Sequence, residues 1–233
     1  MSPLPLILRR VAHDQRGLAL IEFALALPLV LGVGMYGVET ANLAIVNMRL
    51  SQIALNLADN ASRVGETGSS MQQLRESDIS DVLQATRLQG ASMKLTTNGR
   101  VTLSSLEGSS TGVQTIHWQR CIGLQNGTSY ASSYDKTNGT IDANDGQDTA
   151  ATNKGVEVTG GMGDGTQKVS APNGAGVMYV EINYDYKPLL GSMFATPAKL
   201  KYTASFIVRD NRDFTKIYES VSGSRSTCDL YTA

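Results

Sequence analysis

Arg16-Gly17-Leu18-Ala19-Leu20-Ile21-Glu22-Phe23 opens the stretch on which the fold turns. Ahead of it the chain is basic and polar, with Arg9, Arg10 and Arg16, and beyond Gly17 it is apolar to about Val38 except for one carboxylate, Glu22. A helix of about 20 apolar residues, rising ~1.5 Å per residue, crosses the hydrocarbon core of a bilayer. Basic residues on the N-terminal flank keep that flank in the cytoplasm and put the bulk of the chain outside it. An ionisable group inside such a run costs on the order of a few kcal/mol near the bilayer centre, so Glu22 calls for a partner or a function. The alternative is a carboxylate solvated at the cytoplasmic interface.

An ordinary secretory signal fits this stretch less well. Its core of about 7–15 apolar residues ends in small residues at a cleavage site, whereas this run is longer, is interrupted by Glu22, and leads into Gly37-Val38-Glu39-Thr40-Ala41, a poor match. Inside the run, Pro28 removes one helical hydrogen bond, which membrane helices tolerate. With Gly32, Gly34 and Gly37 it makes this half deformable and open to close helix packing. Past Val38 the pattern narrows to a stripe at Leu43, Val46, Leu50, Ile53, Leu57 and Val64, spaced for a helix with one buried seam. The helix is therefore expected to continue to about Arg63, with a membrane-spanning half at residues 18–38 and an amphipathic half that lies on its own globular domain. A single-pass anchor with a short juxtamembrane coiled coil is the alternative.

The remainder, residues 65–233, reads as one α+β domain of one short helix and an antiparallel sheet. A second helix is expected from Ser77 or Ser80 to Gln89, with a Ser N-cap, an apolar face of Ile79, Val82, Leu83 and Leu88, and Gly90 just beyond. Strands follow at residues 100–106 and 115–122. In the second, Ile116, Trp118 and Ile122 share one face and His117, Gln119 and Cys121 the other, which makes His117 a strand-surface residue rather than a ligand. Residues 125–173, rich in Gly, Asn, Asp, Ser and Thr, read as a long surface loop with one short strand at 155–158. The clearest strand is 177–186, alternating Met178, Val180, Ile182, Tyr184 and Tyr186 with polar residues, so one face is expected buried and one wet. Residues 201–209 repeat the pattern with Tyr202, Ala204, Phe206 and Val208 inward. The apolar turn between them, 189–194, either covers the edge of the core or meets another subunit.

Composition narrows the function classes. The chain has 233 residues, 41% hydrophobic, with 20 basic and 21 acidic side chains and no basic cluster outside the N-terminal flank, so nucleic acid is not expected as a partner. Cys121 and Cys228 are the two cysteines; in a domain exported to an oxidising compartment an even count favours one disulfide, pinning the tail to the strand that carries Cys121. Two histidines and no zinc-type spacing argue against a metal site. Residues 142–148 superficially resemble a calcium loop but place their Gly one position early and lack the distal Glu. Asn126 and Asn138 match glycosylation sequons through composition alone. No nucleophile motif or phosphate-binding loop in strand-to-helix context is present, so no cofactor, small-molecule substrate or catalysis is expected.

Gly17, four apolar or small residues, Glu22 and then Phe23, placed at a charge-to-apolar boundary, resemble the prepilin processing motif of the Flp branch of type IV pilins. The order of elements and the segment Val180-Glu-Ile-Asn-Tyr184-Asp-Tyr186-Lys-Pro188 are similar to the TadE-like (TadE, TadF, TadG) minor pilins and pseudopilins of tight-adherence pilus systems. The resemblance implies cleavage after Gly17 by a prepilin peptidase at the cytoplasmic side, which makes residues 1–17 a leader and Leu18 the mature N-terminus. It also implies that Glu22 pairs with the amine of a neighbouring subunit and sets axial register. The implied partners are the bacterial inner membrane, the peptidase, and other major and minor pilins, with the C-terminal domain in the periplasm or in an extracellular pilus. The competing expectation is an unprocessed, membrane-anchored adhesion or binding module acting through residues 125–173.

Overall fold

The computed structural model describes residues 17–67, 71–134, 146, 155–163, 166–194, 196–220 and 225–233. The leader ahead of Gly17, the Asn138 sequon and all but Gly146 of the 142–148 stretch lie outside the described residues. The architecture is α+β, a long N-terminal helix followed by a five-stranded antiparallel sheet and short helices. The chain divides into two compact units, one holding the start of the helix through Ala44 together with Pro188–Thr196, the other holding Ile45–Lys187 and Pro197–Ala233.

Helix α1, Leu18–Arg63, is a single element of 46 residues that runs through Pro28. In the first unit its side chains from Leu18 to Val38 are exposed, Gly32 alone being half-buried, and the segment is long and apolar enough to cross a membrane. In the second unit its character changes as the stripe predicts: Leu50, Ile53, Ala54, Leu57, Ala58 and Ala61 are buried, a ridge at i, i+3, i+4, i+7, i+8 and i+11. Each Leu or Ile sunk this far contributes about 1.5–3 kcal/mol of hydrophobic stabilisation. The helix ends at a guanidinium: Arg212 donates to the carbonyls of Ala61 at 3.2 Å and Val64 at 2.7 Å, satisfying acceptors that the helix itself leaves open.

After the small hairpin of β1 (Glu66–Thr67) and β2 (Gln72–Gln73), helix α2 spans Glu76–Gln89. Its N-cap is not a serine. The chain enters at Arg75, whose N–H donates to Asp78 Oδ2 at 2.9 Å, a reach-back that serves the same purpose three residues into the helix. Ile79 and Leu83 are buried as expected, but Leu88 is 67% exposed, because the buried side here is completed by Glu76 and Thr86. Gly90 follows in ordinary right-handed conformation; its lack of a side chain matters for packing, since a Cβ there would stand 2.5 Å from Leu95 Cβ. A short 3-10 turn at Ala91–Met93 and helix α3, Leu95–Asn98, lead into the sheet.

The sheet comprises β3 (Gly99–Gly108), β4 (Gln114–Ile122), β5 (Val156–Glu157), β6 (Gly176–Tyr186) and β7 (Ala198–Ile207), in the order β5-β4-β3-β6-β7. One face carries Val101, Leu103, Trp118, Arg120, Val180, Ile182 and Tyr202, in register across the strands. It meets the helical layer, with Tyr202 donating to Asn47 Oδ1 of α1 at 2.6 Å and Arg120 bonding Glu76 of α2.

Two expectations about the other face change. The β3–β4 register shifts at Ser105/Leu106, so that Ser105 faces Trp118 while Leu106 faces Ile116. His117 is the extra residue of a β-bulge, and because side chains alternate with period two, the shift carries Ile116 to the opposite face from Trp118. There it joins Leu106, Met162, Val177 and Tyr179 in a buried cluster. Nor is that face wet: Glu181 and Asn183 are buried beneath a layer drawn from the 125–173 region. Glu181 accepts hydrogen bonds from the Ser132 hydroxyl and from Ser133 N–H, and the Asn183 amide donates to the Tyr130 carbonyl at 3.0 Å. Alternating polar residues mark a face that meets polar groups, and here those groups belong to the protein.

The tail is pinned as the cysteine count suggests. Cys121 and Cys228 are bonded, with Cα atoms 4.8 Å apart and a sequence separation of 107. Buried Arg100 reinforces the pin, donating to the carbonyls of Gly123, Cys228 and Leu230 and lying 4.4 Å from the Tyr231 ring centroid.

Candidate functional site

The residues singled out near the N-terminus sit on one exposed helical surface. Gly17 immediately precedes α1, and nothing lies within 4 Å of where its Cβ would be. Leu18, Glu22 and Phe23 are all exposed. At ~1.5 Å per residue, Glu22 stands about 6 Å up the helix from Leu18, one turn away. Gly32, Gly34 and Gly37 likewise have no neighbouring atom within 4 Å of where a Cβ would stand, so a second helix can approach the backbone there. Pro28 lies between these two regions without ending the helix.

A second carboxylate, Glu39, closes the apolar stretch. From Phe23 to Val38 the chain carries no charge, and the 17-residue step from Glu22 to Glu39 corresponds to about 26 Å along a helix, close to the ~30 Å of a hydrocarbon core. Unlike Glu22, Glu39 is buried, at 1% exposure. Its two oxygens accept the N–H groups of Leu189 at 3.2 Å and Leu190 at 2.9 Å. The apolar turn that follows β6 is thereby tied to the helix within one compact unit. The sequence signal was present, since Glu39 is the first charged residue after Glu22, but nothing local connects it to a turn 150 residues away.

In the second unit, the bulge at His117 borders a cleft of about 710 Å³ lined by Glu107, Ser109, His117, Glu157, Phe214 and Thr215. His117 is buried rather than on a wet strand surface, and its Nδ1 lies 3.0 Å from Glu107 Oε2. An imidazole and a carboxylate at this distance share a hydrogen bond that becomes an ion pair when the ring is protonated. Beneath the helices, Arg120 and Glu76 form a two-pronged ion pair with 0% and 5% side-chain exposure, its Nε contact at 3.1 Å. The pair joins β4 to α2 across 44 residues of sequence, a separation that hides it from any reading of spacing. Burial pushes the Arg100 and Arg212 guanidinium groups below the ordinary arginine range. Tyr130, hydrogen-bonded to Asp185, has its phenol pushed up to about 12. Among the described residues no group of three His, Cys, Asp or Glu side chains is placed to hold a metal. The chain matches no protein-family model, no curated protein and no solved structure.

Proposed function

We propose that this chain is a non-catalytic prepilin of the TadE-like kind, cleaved after Gly17 and assembled through α1 with the major and minor pilins of a tight-adherence system. The observation that carries the reading is the sequence of features at the start of α1: an unobstructed glycine at the helix boundary, then an exposed apolar stretch to Val38 whose single carboxylate, Glu22, falls one turn in. Glycine leaves the backbone accessible to a protease and weakens helix continuation across the cut. Cleavage frees an amine at Leu18. In a bundle of such helices the Glu22 carboxylate is removed from water and needs a cation, which the Leu18 amine of a neighbour supplies at one axial offset only. The basic residues before Gly17 favour a cytoplasmic N-terminus, which puts the peptidase site at the inner face of the membrane and the sheet domain in the periplasm. There the Cys121–Cys228 bond suits an oxidising compartment.

The test is assembly. With a prepilin peptidase and partner pilins coexpressed, Glu22→Ala should leave the protein in the membrane fraction while its co-purification with partner pilins falls at least severalfold. Unchanged co-purification removes the register role and with it the reason for reading the carboxylate as an assembly residue.

A further inference from the structure

The turn between β6 and β7 carries no charge from Pro188 to Ala198, and it turns its apolar residues outward: Leu189, Leu190 and Met193 are 66%, 38% and 87% exposed. Three such residues on one short turn are an expensive surface to leave in water. The turn shares a compact unit with the exposed half of α1, and Glu39 holds it there by accepting two successive backbone N–H groups, those of Leu189 and Leu190. Met35, Tyr36 and Val38, within about one turn of Glu39 on a helix of ~3.6 residues per turn, are exposed as well. Helix and turn therefore both present exposed apolar side chains close to Glu39, where the uncharged stretch ends.

We propose that this surface is in lipid: Leu189, Leu190 and Met193 enter the outer interfacial layer of the bilayer that α1 crosses, and Glu39 is the positioning residue that sets their depth. The inference rests on α1 being a membrane span. Three observations select lipid over a protein partner. The turn is tied by Glu39 to the membrane-capable helix within one compact unit. The ~26 Å separating Glu22 from Glu39 puts the turn at the far edge of a hydrocarbon core. Finally, two backbone N–H groups that would be costly to bring near hydrocarbon are already satisfied by a carboxylate of the same unit. A buried acidic side chain thus acts as a local substitute for water, allowing irregular backbone to approach the membrane.

Depth-dependent quenching tests this on the full chain reconstituted in phosphatidylethanolamine–phosphatidylglycerol vesicles. The native cysteines are bonded to each other, so Met193→Cys and, separately, Val30→Cys can each carry a nitrobenzoxadiazole probe. The expected result is blue-shifted emission at both positions, with the Met193 probe quenched at least twofold more by shallow than by deep nitroxide lipids and the Val30 probe showing the reverse. Adding Glu39→Gln should at least halve quenching at position 193 and leave position 30 unchanged. A Val30 probe that is quenched beside a Met193 probe that is not would overturn the lipid contact while leaving the span intact. If neither is quenched, the span itself fails. Protection at position 193 that disappears as lipid is added in excess would assign the turn to a neighbouring protein instead. Unchanged quenching in the Glu39→Gln background would remove its positioning role.

Discussion

Arg120 and Glu76 are the residues whose loss the domain should feel most sharply. Both are buried, and removing one takes from the other its ion-pair partner in the core. Arg120→Met alone should destabilise the domain by about 3–5 kcal/mol, while the double variant Glu76→Leu/Arg120→Met should recover most of that loss, because an apolar pair removes both desolvation costs. Trp118, the only tryptophan, lies 5.8 Å from the Arg120 guanidinium and reports unfolding in urea. A double variant as unstable as the single would show that the loss comes from packing rather than charge. Tyr130 gives a pH prediction. Its hydrogen bond to Asp185 raises the phenol from 10.0 to about 12, so the contribution of this pair is fully present below pH 10 and is lost as pH climbs through 12. In an ultraviolet absorbance titration, Tyr130→Phe should delete the latest-ionising component; a wild-type titration with no component above about 11 would contradict this. At this scale the sequence is a poor guide. Alternation shows Glu181 and Asn183 sharing one face of β6, but it cannot distinguish water from a layer of protein hydroxyls and carbonyls, and here the second occupies the face.

Among elements, α1 was the most legible, since its signal is local: an apolar run, then a seam at spacings of three and four, each readable within a window of a few turns. The five strands of the main sheet were legible in position, whereas the β1–β2 pair was not, being only two residues per strand; the faces were not wholly legible either, because the bulge at His117 depends on which residue of β3 stands opposite. The caps show the same limit, with Asp78 rather than a serine serving α2 and a distant Arg212 closing α1. Arg212→Ala should therefore destabilise the second half of α1 by about 1–3 kcal/mol, the cost of leaving buried carbonyls unsatisfied. Hydrogen exchange should localise that loss to the last turns before Arg63, whereas a loss confined to the tail would contradict the capping role. Breaking the disulfide acts on a different element. Cys228→Ser should cost about 2–5 kcal/mol and release the C-terminal segment, although Arg100 still grips the carbonyls of Cys228 and Leu230. A melting temperature unchanged from wild type would mean that the Arg100 contacts alone hold the tail.

The molecule as a whole joins a helix half that is apolar and exposed to one that is seamed and buried, and the join is chemically marked. Glu22 and Glu39 bracket the uncharged stretch, the first exposed and the second clamped by the turn that follows β6. The first of these draws attention in the sequence because it interrupts an apolar run; the second does not, because its partners lie 150 residues away. The proposed function would use that division: a glycine at a charge boundary for processing, a carboxylate one turn in for register, and a sheet domain that meets the bilayer only through the turn after β6. The most direct measurement is the mass of the chain purified from membranes that contain a prepilin peptidase. A chain beginning at Leu18, lacking the 17 residues before it, is the predicted result; a chain that retains Met1, or one cut near Ala41, would contradict the prepilin account.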